Sequence, residues 1–239
     1  MSLKNLKGKN VFITGATGGI GKAIAFKLAE IGCNLFLTSS NEKELKKLKS
    51  SLSKYNVQIE FISANLKDIE NVYKAINHIK KSSFKVEILI NSAGVFPNLS
   101  LANSSDEIFL ETINVNFRSI FLFTREFSKE MVENKWGRIV NIGSSSAYSG
   151  FQETSLYCAS KHAVLGFSKS IHEELKEHNV RTYCISPSST KSKMGLQTKG
   201  QDYSTFIDPE DIAEYVVFAI SFNSNIVSNE IFLKRMLIK

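Results

Sequence analysis

No apolar run in this sequence approaches the roughly 18 residues a membrane span requires, so the chain is expected to stay off the membrane. The opening "MSLKNLKGKN" has no hydrophobic stretch ahead of its first charges, and no secretory signal is expected from it. Cysteine is scarce. Cys33, Cys158 and Cys184 are odd in number and show no CxxC spacing, which argues against a disulfide framework or a zinc ribbon. Reduced thiols of a cytoplasmic protein are the expectation. His78, His162, His172 and His178 lack partners at ligand spacing, so no metal site is expected. A nucleic-acid motif is also missing. Thirty lysines and arginines against 23 acidic residues give +7, but the basic residues are scattered and no aromatics interleave them. Their densest group, "EKELKKLK" from Glu42 to Lys49, turns Leu45 and Leu48 inward and reads as a solvated helix face. Attraction to an acidic ligand or carrier is compatible with that charge; specific binding of DNA or RNA is not expected.

What is present is ordinary globular composition, 43% hydrophobic and 22% charged. Strand-like apolar runs alternate with amphipathic stretches: "NVFIT" (10–14) and a helix to about Ile31, "NLFLT" (34–38) and the lysine-rich helix, "VQIEFIS" (57–63) and a helix over 68–81. "VEILI" (86–90) precedes a long helix over roughly 105–133, and "GRIVNI" (137–142) precedes one over 154–178. "VRTYCIS" (180–186), a helix opening at "DPEDIAEYVVFAI" and a strand over 230–234 complete the series. Such alternation predicts an α/β fold, a doubly wound parallel sheet of seven strands with helices on both faces, as one domain over 1–239. Ligands of such sheets lie beyond the carboxyl ends of the strands. "TGATGGIG", "TSSN", "SANL", "NSAG", "IGSSS" and "SPSSTKSKM" all fall there.

The glycines of "TGATGGIG" can be counted two ways, as TGxxxGxG through Gly15, Gly19 and Gly21 or as TGxxGxxG through Gly15, Gly18 and Gly21. Either way, a turn of this kind aims the free N–H groups of the following helix at a pyrophosphate. The turn alone does not decide between the two.

"TGATGGIG", "NSAG", the Asn116 of "NVNF", "IGSSS", "YCASK" and "SPSSTKSKM", in this order and spacing, resemble the compact short-chain dehydrogenase/reductase family over nearly the whole chain. The YxxxK of Tyr157 and Lys161, with Ser144 lying 13 residues upstream of the tyrosine, is the most specific part. The resemblance favours the TGxxxGxG reading and implies a Rossmann-type fold with NAD(P) lying along Gly15, Thr17, Gly18, Gly19, Ile20 and Gly21. It puts Asn65 and Leu66 beside the adenine; many relatives have aspartate where Asn65 stands. Asn91, Ala93 and Gly94 would hold the strand end and ribose side, with Ser92 replacing a usual asparagine. Pro187 matches the family proline, Ser188 stands where glycine is usual, and Ser192 replaces the threonine that contacts the carboxamide. Asn116 would anchor a water linking Lys161 to solvent, and "IFLFTREF", read first as core or interface, would belong to the helix pair that builds homodimers and homotetramers.

Tyr157 and Lys161 rise from one face of a predicted helix. A free tyrosine titrates near ~10, and lowering it to about 7 requires roughly 4 kcal/mol. A nearby ammonium and a nicotinamide charge together could supply that, making the phenol an acid for carbonyl reduction and a base for alcohol oxidation. Ser144 would hydrogen-bond the substrate oxygen; the chemistry itself belongs to the nicotinamide. A non-catalytic dinucleotide sensor on the same fold would typically have lost Tyr157 or Lys161, and neither is lost here.

Cofactor choice turns on a missing acid. About 20 residues past the glycine turn, a carboxylate binds the ribose 2′-OH of NAD. Ser39 and Ser40 occupy that loop, with Asn41, Glu42 and Lys43 beside them, so NADP(H) is expected over NAD(H). Resemblance is nearest to 3-oxoacyl-acyl-carrier-protein reductases, in "TSSNEKEL" and "GFSKSIHEELKEHNVR". Two features depart from them: the stretch "GLQTKGQDYSTFI" is short for a substrate lid, and the tail "NEIFLKRMLIK" lacks their paired glycines. Reduction of a 3-oxoacyl thioester is the expected activity, with Lys191 and Lys193 at the rim helping to meet an acidic carrier. A carbonyl, sugar or secondary-alcohol dehydrogenase of the same family is the alternative.

Overall fold

A computed structural model describes residues 5–198 and 200–236. The first four residues of the stretch read for a leader, Lys199 and the last three residues of the tail lie outside them. The seven strands are β1 (Asn10–Thr14), β2 (Asn34–Ser39), β3 (Ile59–Ser63), β4 (Ile88–Asn91), β5 (Gly137–Ile142), β6 (Val180–Pro187) and β7 (Glu230–Leu233). They form one sheet in the order β3-β2-β1-β4-β5-β6-β7, and every pairing is parallel. Helices α1 (Gly19–Ile31), α2 (Glu42–Leu52), α3 (Ile69–Lys81), α4 (Asp106–Ile113), α5 (Ser119–Glu133), α6 (Ser155–Leu175) and α7 (Pro209–Ile220) connect them.

Buried parallel strands need apolar side chains on both faces, and alternate residues of β1 supply them. Val11 and Ile13 enter the core beneath α1 and α7, with Ile24, Leu28 and Val216. Phe12 enters the opposite core, where it meets Phe36, Phe123 and Phe127 edge-on at centroid distances of 6.1, 5.1 and 5.6 Å. β1 pairs Val11 with Leu35 of β2 on one side and with Ile88 of β4 on the other. Strand order therefore reverses beside β1, and a crevice opens past the ends of β1 and β4.

Three elements differ from the sequence expectation. β3 begins at Ile59 rather than Val57, because Tyr55 to Gln58 form a turn whose Gln58 N–H is held by the Asn34 amide oxygen at 3.0 Å. The helix expected over 105–133 is interrupted by a π turn at Asn114–Arg118. α6 ends at Leu175, followed by a short 3₁₀ turn and by Asn179 in the left-handed region (φ 56°), which redirects the chain into β6. "IFLFTREF" is mostly core: Ile120, Leu122, Phe123 and Phe127 are buried, and of its apolar residues only Phe121 is exposed.

Candidate functional site

A cleft of about 1110 Å³ runs along the carboxyl ends of the strands. One end is built by the turn between β1 and α1. Gly15 holds φ +63°, and a Cβ there would lie 2.7 Å from the Ala93 backbone. A Cβ on Gly21 would meet the Gly15 carbonyl at 2.3 Å, so α1 can start this close to β1 only with glycine. No side chain caps α1 at Gly18, which leaves its first N–H groups and positive dipole end facing the cleft. That bare, glycine-lined helix start fits a dinucleotide pyrophosphate. Gly15, Thr17, Gly18, Gly19, Ile20 and Gly21 all line the wall.

Ser39 and Ser40 border the same cleft at the end of β2. Asn41 instead caps α2, accepting from Glu44 N at 3.2 Å, and Lys43 lies outside the lining. Asn65 and Leu66 follow β3 in the wall, with Lys67 beside them. After β4, the Thr14 hydroxyl accepts from Ser92 N and Ala93 N at 3.1 and 3.2 Å, setting Ala93 and Gly94 against the cleft. Pro187 and Ser192 close the far side.

Asn91 does not line the cleft. It is 1% exposed, its amide donating to Asn141 Oδ1 at 2.8 Å, and Asn141 donates in turn to Ser168 Oγ at 2.8 Å. These amides brace β4, β5 and α6 beneath the site. Asn116 is likewise fully buried and absent from the lining. Its Nδ2 donates to Val95 O and Ser160 Oγ, both at 3.0 Å, and its Oδ1 accepts from Val95 N at 2.8 Å. The side chain expected to anchor a water is thus spent on clamping the segment after β4 to α6.

At the other end, Ser144, Tyr157 and Lys161 converge on the cleft. Ser144 follows β5 and accepts from Ser146 N at 3.1 Å. Tyr157 sits on the first turn of α6, with Phe96 edge-on to its ring at 4.8 Å. Burial pushes the phenol up to about 12, against a smaller lowering by the Ser144 hydroxyl. The ammonium of Lys161 lies 5.7 Å from the Tyr157 ring centroid and donates to Ile142 O at 2.7 Å. Burial brings Lys161 down to about 8. In this structure the ammonium is turned to a backbone carbonyl, and burial sets the direction of the Tyr157 shift; the lowering expected from Lys161 and a nicotinamide charge together is not given by the protein alone.

Motif reading missed the cleft's loop walls. Phe96, Asn98, Gln152, Glu153 and Lys67 line it from segments with no periodicity, and only the positions of Phe96 just past "NSAG" and Lys67 just past "SANL" pointed to the site. Asn98 donates to Gln197 O at 3.0 Å, tying that wall to the segment after β6. Lys193 lines the cleft, whereas Lys191 does not and is paired with Asp208 at 2.9 Å. His162 bonds the Cys158 carbonyl, and Cys33, Cys158 and Cys184 are free, buried thiols. Among the described residues, no helix is long and apolar enough to cross a membrane.

Residues 9–202 match the family described as short chain dehydrogenase. The chain is 34% identical over 235 residues to a 3-oxoacyl-[acyl-carrier-protein] reductase of Rickettsia conorii, covering 95% of each. It is 33% identical over 242 residues to a 2,3-dihydro-2,3-dihydroxybenzoate dehydrogenase of Bacillus subtilis, covering 92% of each. Among solved structures, a metagenomic short-chain oxidoreductase in complex with NADP superposes with a TM-score of 0.85 at 26% identity, over 98% of this chain and 99% of that one. A family match over residues 9–202, joined by relatives and a solved structure that match nearly end to end, shows that the protein is an oxidoreductase of the short chain dehydrogenase family.

Proposed function

We propose that the protein reduces the keto group of a 3-oxoacyl thioester with NADP(H). The observation that carries the reaction type is the convergence of Ser144, Tyr157 and Lys161 on a cleft whose other end is an uncapped, glycine-lined helix start. When bound, the nicotinamide supplies the hydride. Gly15, Thr17, Gly18, Gly19, Ile20 and Gly21, all lining the cleft, would receive the pyrophosphate; Asn65 and Leu66 would flank the adenine, and Ala93, Gly94, Pro187 and Ser192 the ribose and nicotinamide side. The Ser144 hydroxyl donates to the substrate carbonyl oxygen, and Tyr157 Oη gives that oxygen its proton. A phenol held near 12 carries its proton at neutral pH, the state that reduction needs. Lys161, which lines the same cleft, would hold the ribose and, protonated below about pH 8, would favour the phenolate once the proton has left. Asn116 acts by fixing the Val95 backbone against α6. Tyr157→Phe should lower turnover by at least ~10²-fold; unchanged NADPH oxidation with an active carbonyl substrate would overturn the mechanism.

NADP(H) is preferred because Ser39 and Ser40 place no carboxylate at the adenosine ribose, while Lys67 and Lys193 add positive charge to the wall. Dissociation constants for NADPH and NADH measure this directly, and tighter NADH binding rejects it. The thioester assignment rests on relatives named as 3-oxoacyl-carrier reductases and on Lys193 at the rim. Lys193→Ala should raise KM for a carrier-borne 3-oxoacyl substrate more than for a small ketone. Equal effects, or no thioester turnover, shift the assignment to a small polar carbonyl, a reading favoured by Asn98, Gln152 and Gln201 in the lining. A homodimer or homotetramer would cover exposed Phe109 and Leu110 of α4 and Phe121 of α5, and light scattering gives its mass. Cytoplasm is the compartment that suits three reduced thiols.

A further inference from the structure

Ser188, standing where the family has glycine, and the glycine-poor tail touch each other. Ser188 N donates to Leu233 O at 2.8 Å, and the Ser188 hydroxyl accepts from Arg235 N at 2.9 Å. A glycine at 188 would offer no such acceptor. Arg235 then turns back over the segment that follows β6. Its Nη1 donates to Thr205 Oγ1 at 3.0 Å, and its guanidinium lies 5.3 Å from the Phe206 ring centroid. Phe206 is buried and packs on Tyr203 at 5.2 Å.

The segment so gripped is the lid of the cleft. Its ends are joined by Ile207 N to Ser189 O at 3.0 Å and Lys191 N to Ile207 O at 2.9 Å. Between them, Ser192, Lys193, Met194, Gly195 and Gln201 form one wall of the site. The lid reaches the glycine turn: a Cβ on Gly19 would lie 3.1 Å from Ser192 Cβ. Asn98 holds it at Gln197 from the opposite side.

We propose that Arg235 is a positioning residue, the end of a strap that runs from β7, is anchored on the Ser188 hydroxyl and holds the short lid over the cleft by gripping Thr205 and Phe206. Arginine suits the task because its planar fork can donate to a hydroxyl from its edge while its flat face lies over a ring. The two departures from the family pattern are then one device: a tail without paired glycines supplies the arm, and the serine fixes its shoulder. A short lid has little surface with which to hold itself closed, and the strap supplies the missing contacts.

The role in catalysis rests on the reductase reading above; the grip on the lid does not. The experiment compares Arg235→Ala, Thr205→Val and the double variant by amide hydrogen exchange of residues 190–206, NADPH dissociation constants and steady-state kinetics. Each single variant should speed lid exchange and raise KM for the carbonyl substrate by about fivefold, the scale of one lost hydrogen bond, with kcat changed by less than about twofold. The double variant should fall short of the product of the two single effects, because both remove the Arg235–Thr205 bond, while Arg235→Ala alone also loses the Phe206 ring and Thr205→Val alone the bond to Asp202 O. Unchanged lid exchange in either single variant, multiplicative effects in the double, or a loss confined to kcat would overturn the proposal. Thr205→Val keeps the side-chain shape and so remains decisive if Arg235→Ala fails to fold. If no carbonyl compound is reduced at all, exchange and NADPH binding still decide on the strap while the reductase reading alone falls.

Discussion

Lys161 is an amine enclosed without a carboxylate partner, its ammonium facing the Ile142 carbonyl. Burial lowers it from 10.5 to about 8, so the folded chain gives up this proton before the unfolded chain does. Between about pH 8 and 10.5 the unfolded state binds more protons, and this group makes stability rise with pH. Below pH 8 the fold bears the full cost of hiding the charge, on the order of 3 kcal/mol for a drop of that size. Lys161→Met loses the bond to Ile142 but sheds the larger desolvation cost. It should raise stability at pH 7 by about 1–3 kcal/mol while abolishing turnover. Melting curves at pH 7 and pH 10 test this, since the gain should largely vanish at the higher pH. Tyr157 behaves in the opposite sense. Its phenol is raised from 10 to about 12, so the stability it contributes is complete below pH 10 and is lost as pH climbs through 12.

Among the elements, the turn into α1 tolerates little change. Gly15→Ala puts an L side chain at φ +63° and 2.7 Å from the Ala93 backbone, a conformation costing roughly 1–3 kcal/mol before any clash is relieved. The chain should melt several degrees lower and bind NADPH at least about tenfold more weakly, since a shift of Ala93 moves both walls of the cleft. Equal binding by wild type and variant would contradict the pyrophosphate assignment. This turn was legible in the sequence because glycine spacing reports backbone geometry directly. The strands were legible too, being short apolar runs between turn signals, and β1 and β5 have the bounds the sequence suggested. The π turn was not. Widening one helical ring leaves the surrounding apolar pattern in place, so Asn114–Arg118 reads as ordinary helix. Asn91 and Asn116 were misplaced for another reason. Their partners lie far along the chain, Asn141 at 50 residues and Val95 at 21, and local sequence carries no record of that pairing. Asn98 and Gln152 belong to loops whose residues answer to the cleft and to nothing periodic.

Across the whole molecule the two rims of the sheet divide their duties. The carboxyl rim holds the cleft; the amino rim is locked by Arg138 at the start of β5, fully buried. Its guanidinium donates to the carbonyls of Gly137, Asn179 and Phe222 at 2.7, 3.1 and 3.0 Å and to Asn223 Oδ1 at 2.7 Å. Arg138→Met strands those acceptors and should cost roughly 3–5 kcal/mol, with NADPH affinity unchanged at temperatures where the variant stays folded. Denaturant melts beside a binding isotherm separate the two effects, and a matching loss of affinity would show that the rims are coupled.

The central position of β1 also bears on how the chain is made. Asn10 N donates to the Glu87 carboxylate, a partner 77 residues further on, and β4 follows just after it. At about 5–20 residues per second, a ribosome needs about 4–15 s to supply that second neighbour. For that interval Val11, Phe12 and Ile13 can pair with β2 alone, leaving the β4-facing edge of the strand open to any other extended segment within reach.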